Sequence, residues 1–190
     1  MPLKIENISK SFGQKKVLQN LSLDLPAEGI VALLGNSGAG KTTLLRIIAG
    51  LETPDSGRVL GLEGKHISYV FQNDRLLKGF SALENVALVS DRETARLWLQ
   101  NFGMGDALDK KPGLLSGGMR RRVALARGLA FAKAGGILLL DEPFKGLDKD
   151  LKQRIIPYVQ KIAQDSLVIL VTHDKKEAGL ASVNYFIDQI

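Results

Sequence analysis

Phosphate chemistry is written into two short stretches of this sequence. The first, Gly35-Asn36-Ser37-Gly38-Ala39-Gly40-Lys41-Thr42-Thr43, fits the pattern G-x-x-x-x-G-K-[ST]. Glycines let the backbone fold tightly enough for successive N–H groups to converge on one anion. A helix leaving such a loop adds its unpaired N-terminal N–H groups and the positive end of its dipole. Lys41 supplies a mobile charge for the outer phosphates, and Thr42 a hydroxyl for Mg²⁺. The second stretch is Asp141-Glu142, directly after the apolar run Ile137-Leu138-Leu139-Leu140. Carboxylates at the end of a buried parallel strand lie where α/β sheets bind ligands. There Asp141 is suited to hold Mg²⁺ beside Thr42, and Glu142 to orient or deprotonate an attacking water. The competing structural reading is a polar strand end or a helix cap.

A third stretch is open between two readings. Ser116-Gly117-Gly118 stands just ahead of a run with helical spacing. It could be a second anion-binding helix start, or an N-cap followed by a glycine turn.

The elements that must position these residues follow from periodicity. Ile30–Leu34 reads as a buried strand entering the glycine loop, and Thr43–Ala49 as the helix leaving it, ended by Gly50. Before them, residues 3–9 and 17–25 alternate loosely and predict an antiparallel, hairpin-like pair with a turn at Ser11-Phe12-Gly13. Short strands are predicted over 58–62 and 66–71. Mostly helix is predicted over 81–102, with Leu97, Trp98 and Phe102 in the core, and helix again over 117–132. Ile137–Leu140 and Leu167–Val171 are continuous apolar runs of the central-strand type. Between them Leu151, Ile155, Val159 and Ile162 mark one helix face, where Pro157 predicts a kink or a late start. Residues 184–190 are the candidate last strand.

Composition narrows the class. A chain of 190 residues suits one sizeable α/β domain over 1–190. With no cysteine there is no disulfide framework and no thiolate metal site. The first residues lack the apolar core of a signal peptide. No apolar run approaches the roughly 18–20 residues that span a bilayer, so a soluble chain is expected. The net charge of +6 serves phosphates in part and solubility for the rest. Arg120-Arg121-Arg122 makes no stripe, because consecutive helical residues point about 100° apart. Direct nucleic-acid binding is not expected.

Taken in order, these stations resemble the ATP-binding cassette family over essentially the whole chain. Residues 35–43 resemble its Walker A, and Gln72 in Tyr69-Val70-Phe71-Gln72 its Q-loop glutamine. Residues 115–119 resemble its signature motif, and Ile137 to Pro143 its Walker B with the catalytic glutamate. Gly146-Leu147-Asp148 resembles the D-loop, and His173 in Val171-Thr172-His173-Asp174 the switch histidine. Phe12 stands where the family places an aromatic against adenine. Each role has a structural rival: Gln72 and His173 as strand-end residues, Asp148 as an N-cap, Phe12 as core.

The resemblance implies a P-loop NTPase core, a mostly parallel sheet flanked by helices. To it are added an N-terminal antiparallel part and a small helical insertion at about 73–118. It implies ATP held by Phe12, the loop residues 35–43 and Gln72, with Mg²⁺ at Thr42, Gln72 and Asp141. Lys41 and His173 would meet the γ-phosphate, with Glu142 as base. Ser116-Gly117-Gly118 would close over the ATP of a second copy in a head-to-tail homodimer. The implied protein is a transporter ATPase in the cytoplasm, peripheral on the inner face of the cell membrane. Its partners would be an integral membrane permease on another chain and a solute-binding protein. Gln72-Asn73-Asp74-Arg75-Leu76-Leu77 and Leu83-Glu84-Asn85-Val86 resemble importer ATPases for nitrate, sulfonates and taurine. An exporter subunit is the near alternative. A soluble cassette ATPase of translation or DNA repair is the distant one, and those usually carry two cassettes or long insertions. Departures are Met119 where the signature usually has Gln, and Lys145-Gly146 where small residues are commoner. The segment from Gln72 to Leu115 and the part after His173 are short for the family, with no C-terminal regulatory domain.

Overall fold

The computed structural model describes residues 2–187. In chain order the elements begin with β1 (Leu3–Phe12), β2 (Lys15–Leu25), β3 (Gly29–Leu34), α1 (Lys41–Ile48), β4 (Ser56–Leu60) and β5 (Ile67–Val70). A helical segment follows, with α2 (Ala82–Ala87), α3 (Arg92–Asn101) and, after two short 3₁₀ turns, α4 (Gly117–Phe131). The chain then runs through β6 (Ile137–Asp141), α5 (Lys149–Ile162), β7 (Leu167–Val171), α6 (Lys175–Ala178) and β8 (Val183–Phe186). Two sheets result. One is antiparallel, ordered β2-β1-β4, and the other is parallel, ordered β5-β6-β7-β3-β8.

The continuous apolar runs are explained by burial of the parallel sheet on both faces. Side chains alternate across a strand. Val31, Leu33, Leu139, Ile169 and Val171 therefore join α1 and the antiparallel sheet in one core. Leu138, Leu140, Val168 and Leu170 join α4, α5 and the helical segment in the other. Helix α1 fills the space between the two sheets, where Leu44, Leu45 and Ile48 pack with Leu3, Ile5 and Ile8 of β1. The strand order sets β7 between β3 and β6, so three strands end side by side. Their C-terminal ends carry the glycine loop, Thr172-His173 and Asp141-Glu142 respectively.

The structure departs from the sequence reading in particulars. Strand β1 runs on to Phe12, and the turn falls on Gly13-Gln14. The helix expected over 81–102 is broken in two. Ser81 caps α2 through a reciprocal box with Glu84, and Asp91 caps α3 by accepting from the Thr94 N–H. Leu97 is not core but 55% exposed. Ala95, Leu99 and Phe102 define the inward face of α3, and Leu97 lies about 200° around the helix from Ala95. Trp98 is half-buried, with its ring centroid 5.1 Å from that of Tyr158. Helix α5 does not start late. It begins at Lys149 behind the Asp148 cap and includes Pro157. Strand β8 covers part of the last candidate strand, and residues 188–190 lie outside the described residues. Among the described residues no helix is long and apolar enough to cross a membrane.

Leu44 tests this packing. Leu44→Ala opens a cavity between the sheets and should cost about 2–5 kcal/mol, read as a lower urea midpoint. An unchanged midpoint would mean that α1 is not sandwiched there.

Candidate functional site

The glycine loop is held by close backbone approach. Gly40 has φ +94°, and a Cβ there would stand 2.6 Å from Leu18 Cδ2 and 2.8 Å from the Val17 carbonyl. At Gly35, φ +138°, a Cβ would meet the Ile187 carbonyl at 2.1 Å. Only glycine satisfies both the conformation and the space. The loop is thus pressed against β2 on one side and the end of the β8 segment on the other. Gly40 also forms the start of α1, whose N–H groups face the loop. Lys41 is buried, and its Nζ donates to the Gly35 and Asn36 carbonyls at 2.7 Å each. Two of its three N–H donors are thereby used. Burial lowers the Lys41 pKa, against the opposing charges of Glu142 and Asp141.

The carboxylates meet this loop from β6. Thr42 Oγ1 donates to Asp141 Oδ2 at 2.9 Å, and the Tyr69 hydroxyl lies 3.5 Å from the same oxygen. Asp141 is 1% exposed, and burial pushes its pKa up while the Thr42 hydrogen bond pulls it down. Burial likewise raises the Tyr69 hydroxyl. Glu142 has φ +46°, a left-handed conformation that costs a side-chain-bearing residue about 1–3 kcal/mol. Its Oε1 lies 3.5 Å from His173 Nδ1, and its Oε2 3.3 Å from Lys145 Nζ. Burial raises the Glu142 pKa, but Lys145 and His173 outweigh it and the net shift is downward.

These residues surround one cleft of about 370 Å³. Its walls include Phe12, Lys15, Lys41, Thr42, Gln72 and Glu142, besides Ser37, Gly38, Gly40, Thr43 and Asp141. Phe12 is not core. It is 49% exposed at the end of β1, with Lys10 Nζ 5.3 Å from its ring centroid. Asn36 belongs to the loop through its carbonyl, and Ala39 is buried beneath it. His173 lines a neighbouring hollow of about 180 Å³ that shares Glu142 as a wall.

Ser116, Gly117 and Gly118 line neither hollow. Ser116 is the N-cap of α4, its Oγ accepting from the Met119 N–H at 3.2 Å. A Cβ at Gly118 would lie 3.6 Å from the Gly146 carbonyl, so this helix start sits beside the turn that follows Glu142. Asp148 caps α5 by accepting from the Leu151 N–H at 2.9 Å.

Sequence reasoning missed Arg121. It is buried, and its guanidinium donates to the carbonyls of Phe71 (2.6 Å), Glu142 (2.8 Å), Asp141 (2.9 Å) and Pro143 (2.9 Å). Asp74 Oδ1 stands 3.5 Å from it. One side chain thus ties the end of β6 to the end of β5. The only signal was an arginine triplet on a helix, which does not say which member points inward. Lys15 was missed as well. Its Nζ lies 4.0 Å from where a side chain on Gly38 would begin, over the glycine loop.

Arg121→Met should destabilise the chain by about 3 kcal/mol or more, because buried carbonyls lose a charged donor. Denaturant unfolding reads this directly. A loss under about 1 kcal/mol would show that water replaces the guanidinium.

Comparison with known proteins bears on the same residues. The family described as ABC transporter matches residues 18–145. The sulfate/thiosulfate import ATP-binding protein CysA of Thermosynechococcus vestitus is 40% identical over 201 residues. That match covers 94% of this chain and 58% of that protein. The CysA of Vibrio vulnificus is 37% identical, with 94% of this chain and 58% of that protein covered. The chain therefore spans less than two thirds of the length of these curated relatives. Among solved structures, a dimeric post-hydrolysis state of an ATP-binding cassette bound to ADP and Pi has a TM-score of 0.84 at 29% identity. It matches 97% of this chain and 94% of that one.

Proposed function

The chain belongs to the ABC transporter family, and we propose that it binds and hydrolyses ATP to drive solute import through a membrane chain. One observation carries the reading. Lys41 and Thr42 at the start of α1, and Asp141 and Glu142 at the end of β6, converge on a single cleft with an exposed aromatic at its rim. The triphosphate lies along the glycine loop and the start of α1, and the base lies against Phe12.

The cleft suits Mg²⁺. Among the described residues no group of three or more His, Cys, Asp or Glu could hold a metal alone. Asp141, Thr42 and Gln72 all line the cleft and each has an oxygen to offer, and Mg²⁺ is usually bound by one or two carboxylates together with substrate phosphates. When bound, the ion would offset charge on the β- and γ-phosphates. Glu142 accepts a proton from water as the water oxygen bonds to the γ-phosphorus. The bond from the γ-phosphorus to the bridging oxygen breaks, leaving ADP and phosphate. Lys41 and His173 steady the charge on the transferred group.

Two copies complete the arrangement. Ser116-Gly117-Gly118 form a second helix start outside the cleft, so a head-to-tail dimer would lay this start over the nucleotide of the other copy. The dimeric neighbour with ADP and Pi supports a homodimer. A mostly apolar groove of about 320 Å³ opens elsewhere, lined by Leu51, Tyr69, Phe71, Val89 and Phe131 among others. It suits a helix of a permease chain, with this subunit peripheral on the cytoplasmic face of the membrane and a solute-binding protein delivering cargo. The import names of the relatives support the direction of transport and weigh against a soluble ATPase of translation or DNA repair.

Glu142→Gln should still bind ATP, lose roughly 10²–10⁴ in hydrolysis rate, and accumulate as a dimer on gel filtration with ATP. Wild-type turnover in that variant would remove Glu142 as the base. Lys41→Ala should lose ATP binding, measured with a fluorescent ATP analogue. Retained affinity would contradict the phosphate-loop assignment. Detergent extraction and co-purification with a polytopic membrane protein tests the transport role, and association with ribosomes instead would overturn it.

A further inference from the structure

His173 sits on a three-residue link between β7 and α6, and its neighbours are tied down more firmly than it is. Its own side chain is 70% exposed. Thr172 is buried, and its hydroxyl is a hub. It donates to Glu177 Oε2 at 2.5 Å and accepts from the Asp174 N–H at 3.1 Å. The residues on either side of His173 are thus joined through one oxygen. Helix α6 has only four residues, too few to fix the link by itself. Glu177 is buried as well, and a buried carboxylate needs a counterion. Lys152 Nζ supplies it, 2.7 Å from Glu177 Oε1 and 3.8 Å from Asp174 Oδ2. Lys152 lies in the first turn of α5, where its N–H donates to the carbonyl of the Asp148 cap at 3.0 Å. Lys152, Thr172 and Glu177 border the same hollow as His173 and Glu142.

We propose that Lys152 and Glu177 are positioning residues for ATP hydrolysis, which hold His173 toward the cleft through Thr172, so that the start of α5 sets the place of the histidine. The proposal rests on the reading of His173 as a contact of the γ-phosphate. Each bond constrains the next. With Lys152 in place, one Glu177 oxygen accepts from the ammonium and the other from the Thr172 hydroxyl. That hydroxyl has a single proton, so its lone pairs are left to accept the Asp174 N–H. The turn closed by this bond carries His173 at its tip. Without Lys152, Glu177 is a buried charge with no cation, since among the described residues no other lysine or arginine pairs with it. It is then drawn toward solvent and away from Thr172, and the turn loosens. The exposed histidine follows the turn. A displacement of about 1 Å in a positioned group can cost about 10²-fold in rate. Neither Lys152 nor Glu177 lines the nucleotide cleft, so their effect reaches the reaction through this link.

The test compares Lys152→Met, which keeps length and removes charge, with Lys152→Arg, which keeps charge. Steady-state ATPase assays on the full chain are run well below the thermal midpoint of the least stable variant. Lys152→Met should lower kcat about tenfold, inside the limit set by a displacement of about 1 Å. Its affinity for a fluorescent ATP analogue should stay at the wild-type value, and Lys152→Arg should restore kcat. A purely structural ion pair would lower the thermal midpoint and leave kcat unchanged, and that result would overturn the proposal. So would a loss of kcat that Lys152→Arg does not restore, or nucleotide affinity falling together with kcat. Thr172→Val keeps the shape of the hub and removes its hydroxyl. It should show the same split between kcat and affinity, and it decides the question if Lys152→Met does not fold. His173→Ala separates the two readings. If it hydrolyses ATP normally, the role given to His173 fails. If it is inactive while Lys152→Met behaves as wild type, only the positioning role fails.

Discussion

The hydrogen bond between the Thr42 hydroxyl and Asp141 joins residues 99 positions apart, and the rest of the fold exists around it. For it to form, β3 and β6 must end at the same level with β7 between them. Parallel pairing supplies the level ends, since Leu33 and Asp141 both pair with Val171. Parallel strands need crossovers, and those crossovers are the helices that bury both faces of the sheet. The apolar runs of β3, β6 and β7 are thus a condition of bringing the hydroxyl and the carboxylate within 2.9 Å.

The site is stiff where it is buried and loose where it is exposed. Arg121 fastens the backbone of Asp141 and Glu142 through their carbonyls, and the same guanidinium fastens Phe71 at the end of β5. Hydrogen bonds to a charged donor are stronger than neutral ones, which suits a backbone held in a left-handed turn at Glu142. His173 and Lys145, by contrast, are mostly exposed side chains that touch Glu142 only through its carboxylate. The strained backbone is held fixed while the carboxylate oxygens keep exposed neighbours.

Much of this was legible beforehand, for physical reasons that differ by residue. The loop 35–43 and the pair Asp141-Glu142 announce themselves because phosphate binding needs fixed residue types at fixed spacing. The central strands are legible because burial on both faces removes polar residues from them. Leu97 was misplaced because an apolar residue on a surface helix is permitted, and only the phase set by Ala95 and Leu99 shows that it faces out. Pro157 predicted a kink or a late start; the late start does not occur, since the Asp148 cap and the buried face of Leu151, Ile155 and Val159 together hold the helix from Lys149. Arg121 was illegible because its partners are carbonyls, which every residue has. Ser116-Gly117-Gly118 was double in meaning, and of its two readings the single chain displays the cap.

Phe12 lies on the antiparallel sheet, outside the parallel sheet whose strand ends carry the glycine loop and Asp141. An aromatic face recognises the plane of a nucleobase, and every base has such a plane. Reading one base against another needs hydrogen bonds to its edges. With Phe12 against the base, as proposed, the cleft would discriminate weakly by base. In a cell the identity of the fuel would then be decided by abundance, with the most plentiful triphosphate occupying the cleft.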